Sequence, residues 1–173
     1  MKKKIKKIYK YKIMNKDMDN RERLSMLAAF INLLKDNLDF SFNINSLDDR
    51  IKLQKYVFIA KSFGLDFGYH YSLYIHGPYS PNLANDYYYL SLNGYNDNGQ
   101  LPRTFKIESF KSAVQGRSIK WLEIVSTALS FMGANPKLSK NELLNLVIKI
   151  KGTVYKQNDI KEILEEATKY NLL

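Results

Sequence analysis

Apolar residues recur at intervals of three and four along most of this 173-residue chain, the spacing that lays a stripe along one face of a helix. From Tyr69 to His76 the period drops to two, as expected of a half-buried strand. One face of that strand would carry Tyr69, Tyr71, Leu73 and Ile75, the other His70, Ser72, Tyr74 and His76. Gly77 and Pro78 should end it, and Thr104 to Ile107 is the candidate for a pairing strand. The pattern therefore predicts a mainly α protein with a small β-hairpin (α+β), with the winged-helix plan as one candidate arrangement.

Capping residues punctuate the helical stretches. Asn20 can cap a helix whose stripe is Leu24, Leu27, Ala28, Ile31, Leu34 and Leu38. Ser46 with Asp49 resembles a capping box ahead of Leu47, Ile51, Leu53, Tyr56, Val57, Ile59 and Ala60, and Gly64 closes that segment. Ser80-Pro81 is an N-cap followed by proline at the first helical position, where a missing N–H costs nothing. Leu83, Ala84, Tyr87, Tyr88 and Leu90 follow it, and Asn93-Gly94 and Asn98-Gly99 are turn signals. Ser118, the pair Ser139 and Glu142, and Asn158 each precede a further apolar stripe. The expected organisation is a basic, disordered tail over 1–18, a helical domain with the hairpin over 19–116, and a helical annex over 117–173.

At this length roughly two-thirds of the unfolded surface can be buried, so folding requires no metal or disulfide. With no cysteine, a disulfide framework and thiolate metal sites are excluded, which fits a reducing cytoplasm. No stretch reaches the ~20 apolar residues of a membrane span, and the lysine-rich start lacks the apolar core of a signal peptide. A soluble cytoplasmic protein with no membrane partner is expected.

The net charge of +10 is unevenly placed. Eight lysines, Lys2, Lys3, Lys4, Lys6 and Lys7 among them, precede the first acid, Asp17. Without those eight of the twenty-seven basic residues, nineteen stand against seventeen acids, a balance of +2. Such a tail can hold phosphate through counterion release. AT-rich codon usage explains the lysines equally well, and Met14 or Met18 is a candidate translation start.

Few residues suggest catalysis. His70 and His76, six apart on one strand, would stand about 20 Å from each other, too far for one metal ion. There is no Gly-x-Ser-x-Gly elbow and no phosphate-binding glycine loop. Ser80 reads as a cap, and Asp86 as a carboxylate near the positive end of a helix. Asp48, Asp49, Asp66 and the group Glu162, Glu165 and Glu166 are accounted for by caps, turns and solvated faces. No catalytic residue, metal site or cofactor is expected. Tyrosine numbers thirteen, and Tyr74, Tyr79 and Tyr89 could form an interface of rigid amphipathic side chains, though codon usage also accounts for their number.

One segment is more specific. Lys52-Leu53-Gln54-Lys55 lies on a helix, and some twenty residues later comes Gly77-Pro78-Tyr79-Ser80-Pro81-Asn82-Leu83. This pairing resembles the YwgA-like and Panacea-domain family, which includes SocA-like antitoxins, across residues 46–95; the segment from Trp121 onward resembles the YwgA-like helical extension more loosely. Tyr56 stands where that family more often has an aliphatic residue, and His76 where it has Tyr or Phe. The resemblance implies a non-enzymatic protein. Panacea-bearing antitoxins neutralise a cognate toxin by direct binding, whereas YwgA-like proteins carry no assigned activity.

The resulting expectation is a regulatory or defence-related protein that binds a protein partner, such as a cognate toxin, in an antitoxin-like manner. His76, Gly77, Pro78, Tyr79 and Ser80 are the expected surface. Lys52, Gln54 and Lys55 either join it or tie down the turn from the preceding helix. The alternative is a DNA-binding transcriptional regulator using nucleic acid contacts from Lys2, Lys3, Lys4, Lys6 and Lys7.

Overall fold

A computed structural model describes residues 20–95 and 99–173. The lysine tail, including Lys2, Lys3, Lys4, Lys6 and Lys7, and Asn98 of the Asn98-Gly99 turn lie outside the described residues. The chain is mostly helical with one two-stranded antiparallel sheet. In order it runs α1 (Asn20–Leu38), α2 (Leu47–Ala60), a 3-10 turn (Lys61–Phe63), β1 (Ser72–Tyr74), β2 (Gly77–Tyr79), α3 (Pro81–Asn93), α4 (Ile107–Val114), α5 (Ile119–Ala134), α6 (Lys140–Lys151) and α7 (Gln157–Lys169).

The expected caps form where a serine side chain meets the third helical N–H. Ser46 accepts from the Asp49 N–H, Ser80 from Leu83, Ser118 from Trp121 and Ser139 from Glu142. Only Ser139 completes the reciprocal box, with Glu142 accepting the Ser139 N–H. Asp49 instead accepts from the Asn43 N–H at 2.9 Å, bracing the preceding turn. The last helix departs from expectation: it begins two residues earlier, at Gln157, with Lys156 rather than Asn158 in the cap position and no side-chain cap bond.

Helix α5 is the axis of the packing. Every residue from Trp121 to Ala128 is buried, because α2, α6, α7 and β2 all pack around it. On the far side of α2, Phe30 meets Phe67, Phe105 and Phe110 at centroid separations of 5.6, 6.0 and 5.6 Å. The buried side chains of residues 19–116 and 117–173 belong to one continuous cluster. Gly64, at φ +90, lets the chain turn tightly against the Thr104 carbonyl, where a Cβ would collide.

The β region differs from the sequence expectation in three ways. The strand is confined to Ser72–Tyr74, and its partner is Gly77–Tyr79 rather than residues 104–107. Gly77 and Pro78 therefore belong to the hairpin instead of ending the sheet. Both faces of the expected half-buried strand are exposed at the hairpin, Leu73 and Ile75 included. Period-two alternation reports the pleat of the backbone and not what covers it, and this hairpin projects its tip beyond the body. Leu47 is likewise exposed rather than part of the buried face of α2.

Candidate site at the clamped hairpin

The Gly77-Pro78-Tyr79-Ser80 segment lies between α2 and α5. Its backbone is held by two side chains of α2, while residues of α5 and α6 hold the adjoining tip at Ile75 and His76. On α2, Gln54 is almost fully buried and binds Ser80 twice. Its Nε2 donates to the Ser80 carbonyl at 2.9 Å, and its Oε1 accepts from the Ser80 N–H at 3.0 Å. One side-chain amide thus satisfies both backbone groups, as a neighbouring strand would. One residue on, Lys55 donates through Nζ to the Pro78 carbonyl at 2.6 Å. Proline brings no N–H, so the carbonyl is the one main-chain polar group at that position, and Lys55 engages it.

The opposite side is organised by Glu123 of α5. Its Oε2 accepts from Lys151 Nζ at 3.1 Å and from the Tyr155 hydroxyl at 3.0 Å. Its Oε1 stands 2.6 Å from His76 Nδ1. Lys151 also donates to the Ile75 carbonyl at 2.7 Å, so it couples the carboxylate to the hairpin tip. Glu123 and Lys151 are 3% and 1% exposed at their side chains, whereas His76 is 53% exposed. Gly77 approaches the same helix: at φ +86, a Cβ there would stand 2.9 Å from Thr127 Oγ1.

Of the residues singled out from sequence, Gln54, Lys55, Gly77, Pro78 and Ser80 are brought together but buried. They brace the hairpin from within, and Gln54, Lys55 and Gly77 also line the groove beside it. His76 is exposed, Tyr79 is half-buried, and Lys52 is partly buried with no hydrogen bond or ion pair to the turn. Tyr79 packs edge-on against Tyr74, with centroids 5.5 Å apart. Tyr88, not Tyr89, lines the adjoining groove. Asp86 has a structural place, accepting from Arg23 Nε at 2.8 Å and the Tyr69 hydroxyl at 2.7 Å. Glu166 accepts from Arg117 and the Trp121 indole.

Sequence reasoning missed Glu123 and Lys151. The available signal was a lone carboxylate within the otherwise apolar run Trp121, Leu122, Ile124 and Val125. Burial without a partner is costly for an ionised carboxylate, so such a position calls for a cation elsewhere in the chain.

Burial pushes the Lys55 ammonium from its ordinary 10.5 down to about 7; Glu123 opposes this shift and Lys151 adds to it. The unfolded chain keeps this proton up to about pH 10.5, while the folded chain releases it near 7. Between those limits the unfolded state binds more protons, so stability rises with pH. Buried Tyr56 and Tyr87 and partly buried Tyr155, each pushed up to about 12, act in the opposite sense above pH 10, because unfolded tyrosine ionises first. Urea unfolding at pH 7.5, 8.5 and 9.5 should therefore show increasing stability, by at most about 1.4 kcal/mol per pH unit for one proton. Lys55→Met should flatten that slope; an unchanged slope would assign it to another group.

Among the described residues no cluster of three His, Asp or Glu side chains is placed to hold a metal ion, and no helix is long and apolar enough to cross a membrane. Beside the hairpin lies a groove of about 350 Å³ between α2, the hairpin tip and α3. Leu47 and Tyr74 are each 56% exposed at its rim, and Ile75 is 84% exposed at the tip. No family model, curated protein or solved structure matches this chain.

Proposed function

We propose that this protein acts by binding a protein partner, in the manner of an antitoxin or similar regulator that works by occupancy and has no catalysis of its own. The observation that carries this reading is the set of large apolar side chains exposed together around the hairpin groove: Leu47, Tyr74, Ile75 and Tyr88. Exposed apolar groups gathered in one place are characteristic of interaction sites, and tyrosines are favoured at the energetic centres of interfaces. The buried bonds from Gln54, Lys55 and Lys151 support the reading further. They fix the hairpin backbone before a partner arrives, which lowers the ordering cost of binding. The balance of only +2 from Asp17 onward gives the DNA-binding alternative no comparable support.

Ile75 is the most informative position, being exposed at the hairpin tip with its own carbonyl already engaged by Lys151. Affinity-tagged full chain should recover a protein from the cells that express it. Ile75→Asp should lose that protein by tenfold or more while retaining the wild-type melting temperature. Recovery unaffected by Ile75→Asp would remove the hairpin from the interface. Recovery of nucleic acid alone, abolished by salt, would favour the DNA-binding alternative.

A further inference from the structure

The groove beside the hairpin is lined by the basic side chains Arg50, Lys55 and His76 and by no carboxylate, with Arg50 as its permanent charge. Asp48 and Asp49 share the first turn of α2 but are not among the lining residues, and Asp49 is occupied by the Asn43 N–H. Glu123 lies behind His76, but it is matched there by Lys151 and is nearly inaccessible. The remaining lining is apolar or aromatic, including Ile51, Tyr74, Tyr87 and Tyr88.

Arg50 reaches the groove with only part of its donor set committed. Its Nη1 donates to the Ile44 carbonyl at 2.6 Å, and a guanidinium has five N–H donors in a planar fork suited to a carboxylate. His76 faces Glu123 through Nδ1, and its ring is half exposed, so the other nitrogen is available. The chain's own N-terminal segment has the wrong charge to fill this groove, with eight lysines before Asp17.

Building on the protein-binding reading above, we infer that the groove takes a peptide segment of the partner in which an Asp or Glu stands beside an apolar side chain. The carboxylate would meet Arg50 and the exposed edge of His76. The apolar side chain would lie between Tyr74 and Tyr88. Charge-assisted bonds of this kind are shorter and stronger than neutral ones, and their loss is read as weakened affinity.

An array of random octapeptides probed with the full chain tests the inference directly. The array should enrich peptides that place Asp or Glu within two residues of Leu, Ile, Phe or Tyr. Fluorescein-labelled copies of the enriched peptides should bind at least tenfold more weakly to Arg50→Glu. Arg50→Gln, which keeps a donor for the Ile44 carbonyl, should give an intermediate loss with an unchanged melting temperature. A full-length variant with Lys2, Lys3, Lys4, Lys6 and Lys7 changed to Ser should bind as the wild type does. No enrichment, enrichment of basic peptides, or acidic binding that follows the tail lysines rather than Arg50 would each overturn the inference. The broader reading has its own outcome: a partner lost with Ile75→Asp but retained by Arg50→Glu leaves protein binding intact and refutes the acidic segment.

Discussion

Replacing Glu123 with alanine is expected to destabilise the fold by about 3–5 kcal/mol, the usual consequence of removing one member of a buried ion pair. The reason is local arithmetic of charge. Lys151 is inaccessible and has two acceptors, Glu123 Oε2 and the Ile75 carbonyl. Without the carboxylate its ammonium faces only a carbonyl, with Lys55 as a like-charged neighbour. For a chain of this length the loss corresponds to a fall in melting temperature of roughly 6–20 °C. The double variant Glu123→Leu with Lys151→Met should recover most of it, since apolar replacement of a whole buried pair is often neutral or stabilising. Urea unfolding of the wild type, both single variants and the double variant would decide. A single-variant loss under about 1 kcal/mol, or a double variant no better than Glu123→Ala, would show that the pair does not act as a unit.

What could be read from sequence was what is determined within a few residues. Ser46, Ser80-Pro81, Ser118 and Ser139 with Glu142 mark helix starts because an N-cap is a contact between a side chain and an amide three positions away. Helix α4 went unrecognised because its start lacks that signal: Lys106 occupies the cap position and makes no side-chain cap bond. The alternation marks the right region for the strand, but it cannot distinguish a hairpin tip that leaves Leu73 and Ile75 exposed from a half-buried strand with one face against the core. The site required contacts that no local pattern encodes. Glu123 and Lys151 are 28 residues apart, Lys151 and Ile75 are 76 apart, and only the folding of α6 against α5 brings them together. The pairing of Gln54 with Ser80 spans 26 residues. Its two halves stood out in the sequence, but their geometry did not, and a polar residue on a helix reads the same whether it faces a partner or props up its own chain.

That geometry makes Gln54→Leu the second large effect. Leucine approximates the volume of glutamine, so little cavity forms, and the change removes two hydrogen bonds at once. The Ser80 N–H and carbonyl are buried, with Ser80 itself fully inaccessible. The Ser80 carbonyl still accepts the Ala84 N–H at 3.1 Å, so only the Ser80 N–H is left without a partner. An unsatisfied buried backbone group costs about 1–3 kcal/mol, and that is the expected loss. Gln54→Glu separates the two contributions. A carboxylate still accepts the Ser80 N–H but has nothing to donate to the Ser80 carbonyl, and it sets negative oxygen against it; the gain of a negative charge near Lys55 works in the other direction. The hairpin should respond ahead of the rest of the fold. Ser80 joins β2 to the first turn of α3, and freeing its backbone releases the strand from α2 at one of its two polar anchors, leaving Lys55 on the Pro78 carbonyl. Hydrogen exchange at Gly77 and Tyr79 should accelerate in Gln54→Leu by more than at Leu122 or Val125 in α5, because local opening of the hairpin then requires less free energy than global unfolding. If exchange instead accelerates uniformly, the Gln54 amide supports the whole core and the hairpin has no independent opening. If stability falls by less than about 0.5 kcal/mol, water has taken the place of the amide, and the strand-like pairing is not what holds the hairpin to α2.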